Sequence, residues 1–211
     1  MLTLPANFFT EGRYVVWLIL FTGATAIVVF VQRFLHYHRA QINSTEFLNG
    51  VRNVLKRDNV VEAISICDAT PGPVARLVKT AILNRDHGRE RVREAIEEAG
   101  LVEVPRLEEK LSLLATIAQL APLLGLFGTV LGFIQIFQQT QEAGLYAHAG
   151  LLSRGVWQAL ICSATGLAVA IPSHAAYNYL VSRVNSIVLD MERAATEIVN
   201  IVAESPTIKT P

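Results

Sequence analysis

The sequence predicts an all-α membrane protein with three transmembrane helices, the second and third extended into the cytoplasm around a small helical insert. Three observations predict it. Residues 14–32, 111–141 and 155–182 contain no Asp, Glu, Lys or Arg. A helix needs roughly 20 apolar residues to cross about 30 Å of hydrocarbon, so each run is long enough. One such run would fit a buried soluble helix; three do not. Lysine and arginine are unevenly placed, with 13 of the 18 between Arg33 and Lys110. Finally, apolar residues outside the runs recur at helical spacing, and no stretch alternates as a strand would.

Charge sets the expected topology. Arg183, Arg193 and Lys209 follow the last apolar run, whereas Arg13 and Arg154 are the only bases in the other two segments. By the positive-inside rule, residues 1–13 and 138–154 face outward, and 32–110 and 182–211 face the cytoplasm. The spans are then 14–31, 111–137 and 155–181. Glu11 precedes the first span and Arg33 and Arg39 follow it, the reverse of a cleavable signal peptide. In the 33–110 segment 12 acids are mixed with the 13 bases, so no nucleic-acid-binding patch is expected. Cys67 is placed in the reducing cytosol and Cys162 in the membrane, which excludes a disulfide between them. No Cys/His spacing suggests a metal. No nucleophile–base set or phosphate loop appears, so neither an enzyme nor a cofactor is expected.

In span one, Tyr14 and Trp17 mark the outer interface and Phe34 and Tyr37 the inner one. In the insert, amphipathic runs cover 46–56, 60–68, 74–83 and 89–99, with Pro71-Gly72-Pro73 as a break and Arg93/Glu97 at i,i+4 on a solvated face. Span two carries Pro122 near its start and span three carries Pro172, each a place where a helix can bend. Beyond span three, Val184, Ile187, Val188, Met191, Ala195, Ile198 and Ile201 continue the helical period to about residue 203. Ser205–Pro211 read as a disordered tail.

Spans two and three are unlike span one. They hold Thr129, Gln135, Gln158, Ser163, Thr165 and Ser173, and they are dense in Gly and Ala, with Gly125, Gly128 and Gly132 on one face. Small residues let helices approach closely in lipid, and polar ones face protein or water. Two readings stand: a tight bundle joined by hydroxyls, or a hydrophilic path through an oligomer. At 100° per residue, Gln158, Cys162, Thr165 and Ser173 share one face, and Ser163 lies about 140° from Gln158.

Ala121-Pro122 followed by Leu124-Gly125-Leu126-Phe127-Gly128-Thr129-Val130-Leu131-Gly132 resembles the second-helix motif of the MotA/TolQ/ExbB proton channel family. Gly155-Val156-Trp157-Gln158-Ala159-Leu160, with Ser163-Ala164-Thr165-Gly166 through Pro172, resembles its third-helix motif. Thr70-Pro71-Gly72-Pro73-Val74-Ala75-Arg76 is similar to the ExbB/TolQ branch. The resemblance covers about residues 15–200. It implies a homo-oligomer, a pentamer, in lipid at the bacterial inner membrane. This ring would enclose an ExbD/TolR-type single-span partner that supplies an Asp, with a TonB/TolA-type transducer relaying the work. It implies pore roles for Thr129 and Ser163; Gln158 and Thr165, on the other polar face of span three, are further candidates for the proton path, and the small-residue pattern and the prolines assign helix packing to Gly125, Gly128, Gly132, Gly166, Pro122 and Pro172. Gln158 departs from the Glu of many relatives, and Gln cannot titrate. His174, near the inner end of span three, is the one side chain in these two runs that titrates near neutral pH. The alternative to a proton-driven motor subunit is a non-conducting scaffold of an envelope complex.

Overall fold

A computed structural model describes residues 13–40, 43–143 and 149–204, and its described residues are almost all helical, with no strand among them. The order is α1 (Arg13–Ala40), α2 (Ser44–Leu55), α3 (Val60–Ala69), α4 (Pro73–Leu83), α5 (Arg89–Glu108), α6 (Leu111–Ala143) and α7 (Ala149–Glu204), with one 3-10 turn at Arg85–His87. Three helices are long and apolar enough to cross a membrane. The short N-terminal segment 1–12 and the tail 205–211 lie outside the described residues. The chain divides into two compact units, Met1–Gln32 with Lys110–Tyr179, and Arg33–Glu109 with Leu180–Pro211.

The first unit is made of apolar helix. Ile19, Ala26, Leu114, Ala121, Ala159 and Cys162 are buried, while Trp17, Phe21, Ile27, Phe137 and Ile171 remain exposed on the single chain. So many large apolar side chains facing outward would be an aggregation hazard in water and are ordinary in lipid or against further copies. Helix α6 continues to Ala143 and α7 begins by Ala149, because Gln138, Gln139 and Gln141 are good helix formers that need not lie in hydrocarbon. Pro122 and Pro172 sit inside α6 and α7, and both helices run through them.

The second unit packs around α4, in which Pro73, Val74, Ala75, Leu77, Val78, Ala81 and Ile82 are all buried. The last part of α7 adds a seam of buried residues at alternating four- and three-residue steps: Leu180, Val184, Ile187, Met191, Ala194, Ile198 and Ile201. This is the heptad pattern of a helix that buries one narrow stripe. It places Ala194, rather than the expected Ala195, at the centre of that stripe. Asn43 and Asn59 cap α2 and α3, each accepting from the backbone N–H three residues on, at Glu46 and Glu62. Gly72 has φ +120°, and a Cβ there would meet the Ala40 carbonyl oxygen at 2.9 Å, so the turn into α4 demands glycine.

Helix α5 runs to Glu108, past the expected end at 99, although it contains Gly100 and Pro105. Each is costly inside a helix, about 1 kcal/mol for Gly and about 3 for Pro. Apolar burial offsets this, with Val92, Ala95, Ile96 and Leu107 of the helix all buried. Glu103 is buried and its carboxylate accepts from Arg76 at 2.6 Å and from Arg106 at 3.2 Å. The Tyr37 hydroxyl donates to the Leu107 carbonyl at 2.5 Å, one of the orphan acceptors at the end of α5.

The Glu103 cluster carries an asymmetric prediction. The Glu103 side chain is 6% exposed, whereas those of Arg76 and Arg106 are 55% and 65% exposed. Glu103→Leu therefore frees two guanidinium groups that water can solvate, and it is expected to change stability by no more than about 1 kcal/mol. The double variant Arg76→Ala/Arg106→Ala strands a buried carboxylate and is expected to cost about 3 kcal/mol. Thermal unfolding of the detergent-solubilised protein, compared side by side, measures both. Equal losses would mean that the glutamate is held by something other than these two arginines.

Candidate functional site

The polar chemistry of the first unit is concentrated where α6 crosses α7. On α6, Gly125, Thr129 and Gly132 follow one another at about one turn. On α7, Ala159, Ser163 and Gly166 do the same. The two faces meet at backbone distance. A Cβ on Gly166 would lie 2.7 Å from the Ala121 carbonyl oxygen and 2.9 Å from the Gly125 Cα; one on Gly132 would lie 2.9 Å from the Ala159 Cβ. Glycines thus bracket Thr129 by a turn on either side, and the residue facing them on α7 is small.

That approach lets a short side chain reach across. Thr129 Oγ1 lies 3.0 Å from the Ala159 carbonyl of α7 and 3.0 Å from the Gly125 carbonyl of its own helix. It is 2.6 Å from Ser163 Oγ. The pair is half-buried. Hydrogen bonds between helices in a membrane are worth about 0.6 kcal/mol on average, so three oxygens on one hydroxyl fix a geometry more than they stabilise the bundle.

The structure brings Thr129 and Ser163 together and leaves Gln158 and Thr165 apart from them. The Thr165 hydroxyl donates to the Ile161 carbonyl at 2.8 Å within its own helix. Gln158 is half-buried, and among the described residues neither it nor Thr165 is hydrogen-bonded to the pair. Helix geometry accounts for this: residues 159, 163 and 166 point at α6, and 158 and 165 lie about 100° around α7. Cys162, grouped with them on the helical wheel, is fully buried and fills the notch opposite Gly128, where a Cβ would meet its Cβ at 2.9 Å and Val15 Cγ1 at 3.0 Å. Ser173 is also buried, its hydroxyl spent on the Val169 carbonyl at 2.7 Å. His174 is exposed, its ring 6.5 Å from that of Tyr177. Sequence reasoning missed the Ala159 carbonyl as a partner of Thr129 and Cys162 as a packing residue. The signal for both was the small-residue spacing of α7, which mirrors that of α6.

Among the described residues, two other features were candidates for chemistry. A cavity of about 640 Å³ in the same unit is lined by Leu20, Gly23, Ile27, Phe30, Val169 and Pro172, among others, and is almost wholly apolar. In the second unit, burial pushes the Cys67 thiol up to about 11, with Asp68 adding to the shift, so at neutral pH it is a packed thiol rather than a nucleophile. Among the described residues no cluster of three His, Cys, Asp or Glu could hold a metal.

The profile of the MotA/TolQ/ExbB proton channel family matches residues 69–193, which include the crossing of α6 and α7. The chain is 27% identical over 179 residues to an ExbB homologue of Methanothermobacter thermautotrophicus, covering 84% of this chain and 63% of that protein. It is 38% identical over 109 residues to the Tol-Pal system protein TolQ of Haemophilus influenzae, 52% of this chain and 47% of TolQ. It is 26% identical over 201 residues to the biopolymer transport protein ExbB of Neisseria gonorrhoeae, 89% of each. The chain thus spans about half to two thirds of the length of the first two of these relatives and nearly all of the third.

Proposed function

Because the chain belongs to the MotA/TolQ/ExbB proton channel family, we propose that this multi-pass membrane protein is the stator subunit of an inner-membrane motor that uses the proton motive force. The observation that carries the reading is the Thr129–Ser163 pair, a hydroxyl couple held between two spans that contain no Asp, Glu, Lys or Arg. Hydroxyls donate and accept hydrogen bonds but do not ionise near neutral pH. Moving a proton through a membrane needs an ionisable group or a water chain. The missing carboxylate is therefore supplied by a second protein, an ExbD/TolR-type helix with one span and an Asp, and a TonB/TolA-type transducer takes up the work. The chain assembles as a homo-oligomer, a pentamer, with α6 and α7 innermost, and it acts without a cofactor and not as an enzyme. The distribution of lysine and arginine puts the N-terminus in the periplasm and the C-terminus in the cytoplasm.

Co-expression with the single-span partner from the same genome tests this. A ring that co-purifies with the partner and admits protons into vesicles only when the partner is present is expected. A ring that binds the partner and passes no protons would favour the alternative, a non-conducting scaffold. A chain that is monomeric after gentle extraction and binds no partner would overturn both.

A further inference from the structure

The hydroxyl pair has a direction, and the direction limits what can bind to it. Thr129 Oγ1 carries one proton and has three oxygen neighbours: the Gly125 and Ala159 carbonyls and Ser163 Oγ. A carbonyl oxygen only accepts. If Thr129 gave its proton to Ser163, two carbonyl oxygens at 3.0 Å would face its lone pairs with no proton between them. In a surrounding that screens charge weakly, that arrangement is repulsive. The opposite direction relieves that conflict: Ser163 donates to Thr129, and Thr129 shares its one proton between the two carbonyls in a three-centre bond.

Ser163 has then spent its only proton, and what it offers any other group is lone pairs. Whatever sits against it must bring a donor proton, which an un-ionised carboxyl has and a carboxylate lacks. Resting on the function proposed above, we infer that Ser163 is an acceptor-only contact that receives the partner's carboxyl in its un-ionised form and discriminates against the carboxylate. Thr129 is the positioning residue. Its own proton is taken up by backbone carbonyls, and it holds the Ser163 proton turned away from the occupant. The same inventory denies the pair a relay role. A proton passed into Ser163 would displace the Thr129 proton onto a backbone carbonyl, an extremely weak base. The pair seats a protonated group and does not conduct through itself.

Two measurements test this on the full chain. The first uses Ser163→Cys and the infrared S–H stretch, taken as a difference from wild type so that Cys67 and Cys162 cancel. The expected band is that of a donating thiol, moving to higher frequency when Thr129→Val is added. A band that Thr129→Val leaves unmoved overturns the direction. The second uses the ring purified with its partner and follows the partner's carboxyl C=O stretch against pH. Removing an acceptor from an un-ionised carboxyl favours its ionisation. Ser163→Ala is therefore expected to lower the titration midpoint by about one pH unit, the size that one neutral hydrogen bond supports. Thr129→Val is expected to lower it as well, since it frees the Ser163 proton to meet a carboxylate, and Thr129→Ser is not. A raised midpoint in Ser163→Ala overturns the inference, and so does an unchanged one, which would mean that water occupies the contact. If no carboxyl titrates in the complex, the proposed function fails and this occupant with it, and the thiol band still decides the direction of the hydrogen bond.

Discussion

Thr129→Val is expected to leave the ring assembled and to abolish work driven by the proton motive force, while Thr129→Ser retains most of it. Valine nearly matches threonine in volume, so the crossing of α6 and α7 keeps its packing. What is lost is one oxygen and its contacts with Gly125, Ala159 and Ser163. Their net worth to the fold is about 1–2 kcal/mol. The functional loss is larger because the driving force is small: one charge crossing 100 mV releases about 2.3 kcal/mol. A polar group left without a partner in an apolar surrounding costs about 1–3 kcal/mol, comparable to that whole supply. Without Thr129, Ser163 also loses the group that fixes its proton. The measurement is envelope function in living cells with ring assembly followed in parallel. A valine variant that assembles and works at the wild-type level would reduce Thr129 to packing, and the path would have to be sought along Gln158 and Thr165.

The second large effect is expected at Gly166. Alanine there would place its Cβ 2.7 Å from the Ala121 carbonyl oxygen and 2.9 Å from the Gly125 Cα. Both are backbone atoms, so no side chain can rotate aside and the helices must separate. Overpacking of this kind costs typically about 1–3 kcal/mol. Separation would also stretch the 3.0 Å bond from Thr129 to the Ala159 carbonyl, so Gly166→Ala is expected to lose both stability and function. Gly100 is the control. It lies inside α5, and a Cβ there meets nothing within 4 Å. Gly100→Ala is expected to raise stability by about 0.5–1 kcal/mol, because alanine loses less backbone freedom in a helix. Thermal unfolding of both variants and the wild type settles the comparison. A Gly166→Ala protein that melts with the wild type would show that α6 and α7 are not in backbone contact.

What the sequence determined by itself is what can be read along one dimension. Crossing a membrane requires a length of apolar helix, so the charge-free runs before Arg33, after Lys110 and after Arg154 sufficed to mark three spans. A helix that buries one stripe repeats its apolar residues at a fixed period, so the run from Val184 to Ile201 announced a helix continuing well past the last span. The residues of the hydroxyl pair were legible as individuals, since a polar side chain in an apolar run stands out. Their partnership was not. Thr129 and Ser163 are 34 residues apart, and a helical wheel tells which residues share a face without telling which face meets which neighbour.

The tertiary structure decided the remainder. It turned Ser163 toward α6 and left Gln158 and Thr165 around the side of α7, because the glycines of both helices allow close contact along one line only. It supplied the Ala159 carbonyl, a group every residue carries and no sequence pattern marks. It carried α5 through Gly100 and Pro105, where local propensity argues for an end, because the helix buries Val92, Ala95, Ile96 and Leu107 and receives the Tyr37 hydroxyl on the Leu107 carbonyl. Local chemistry sets which helices form. The direction of a single hydroxyl proton at their crossing depends on which oxygens lie within about 3 Å of it, and only packing brings those together.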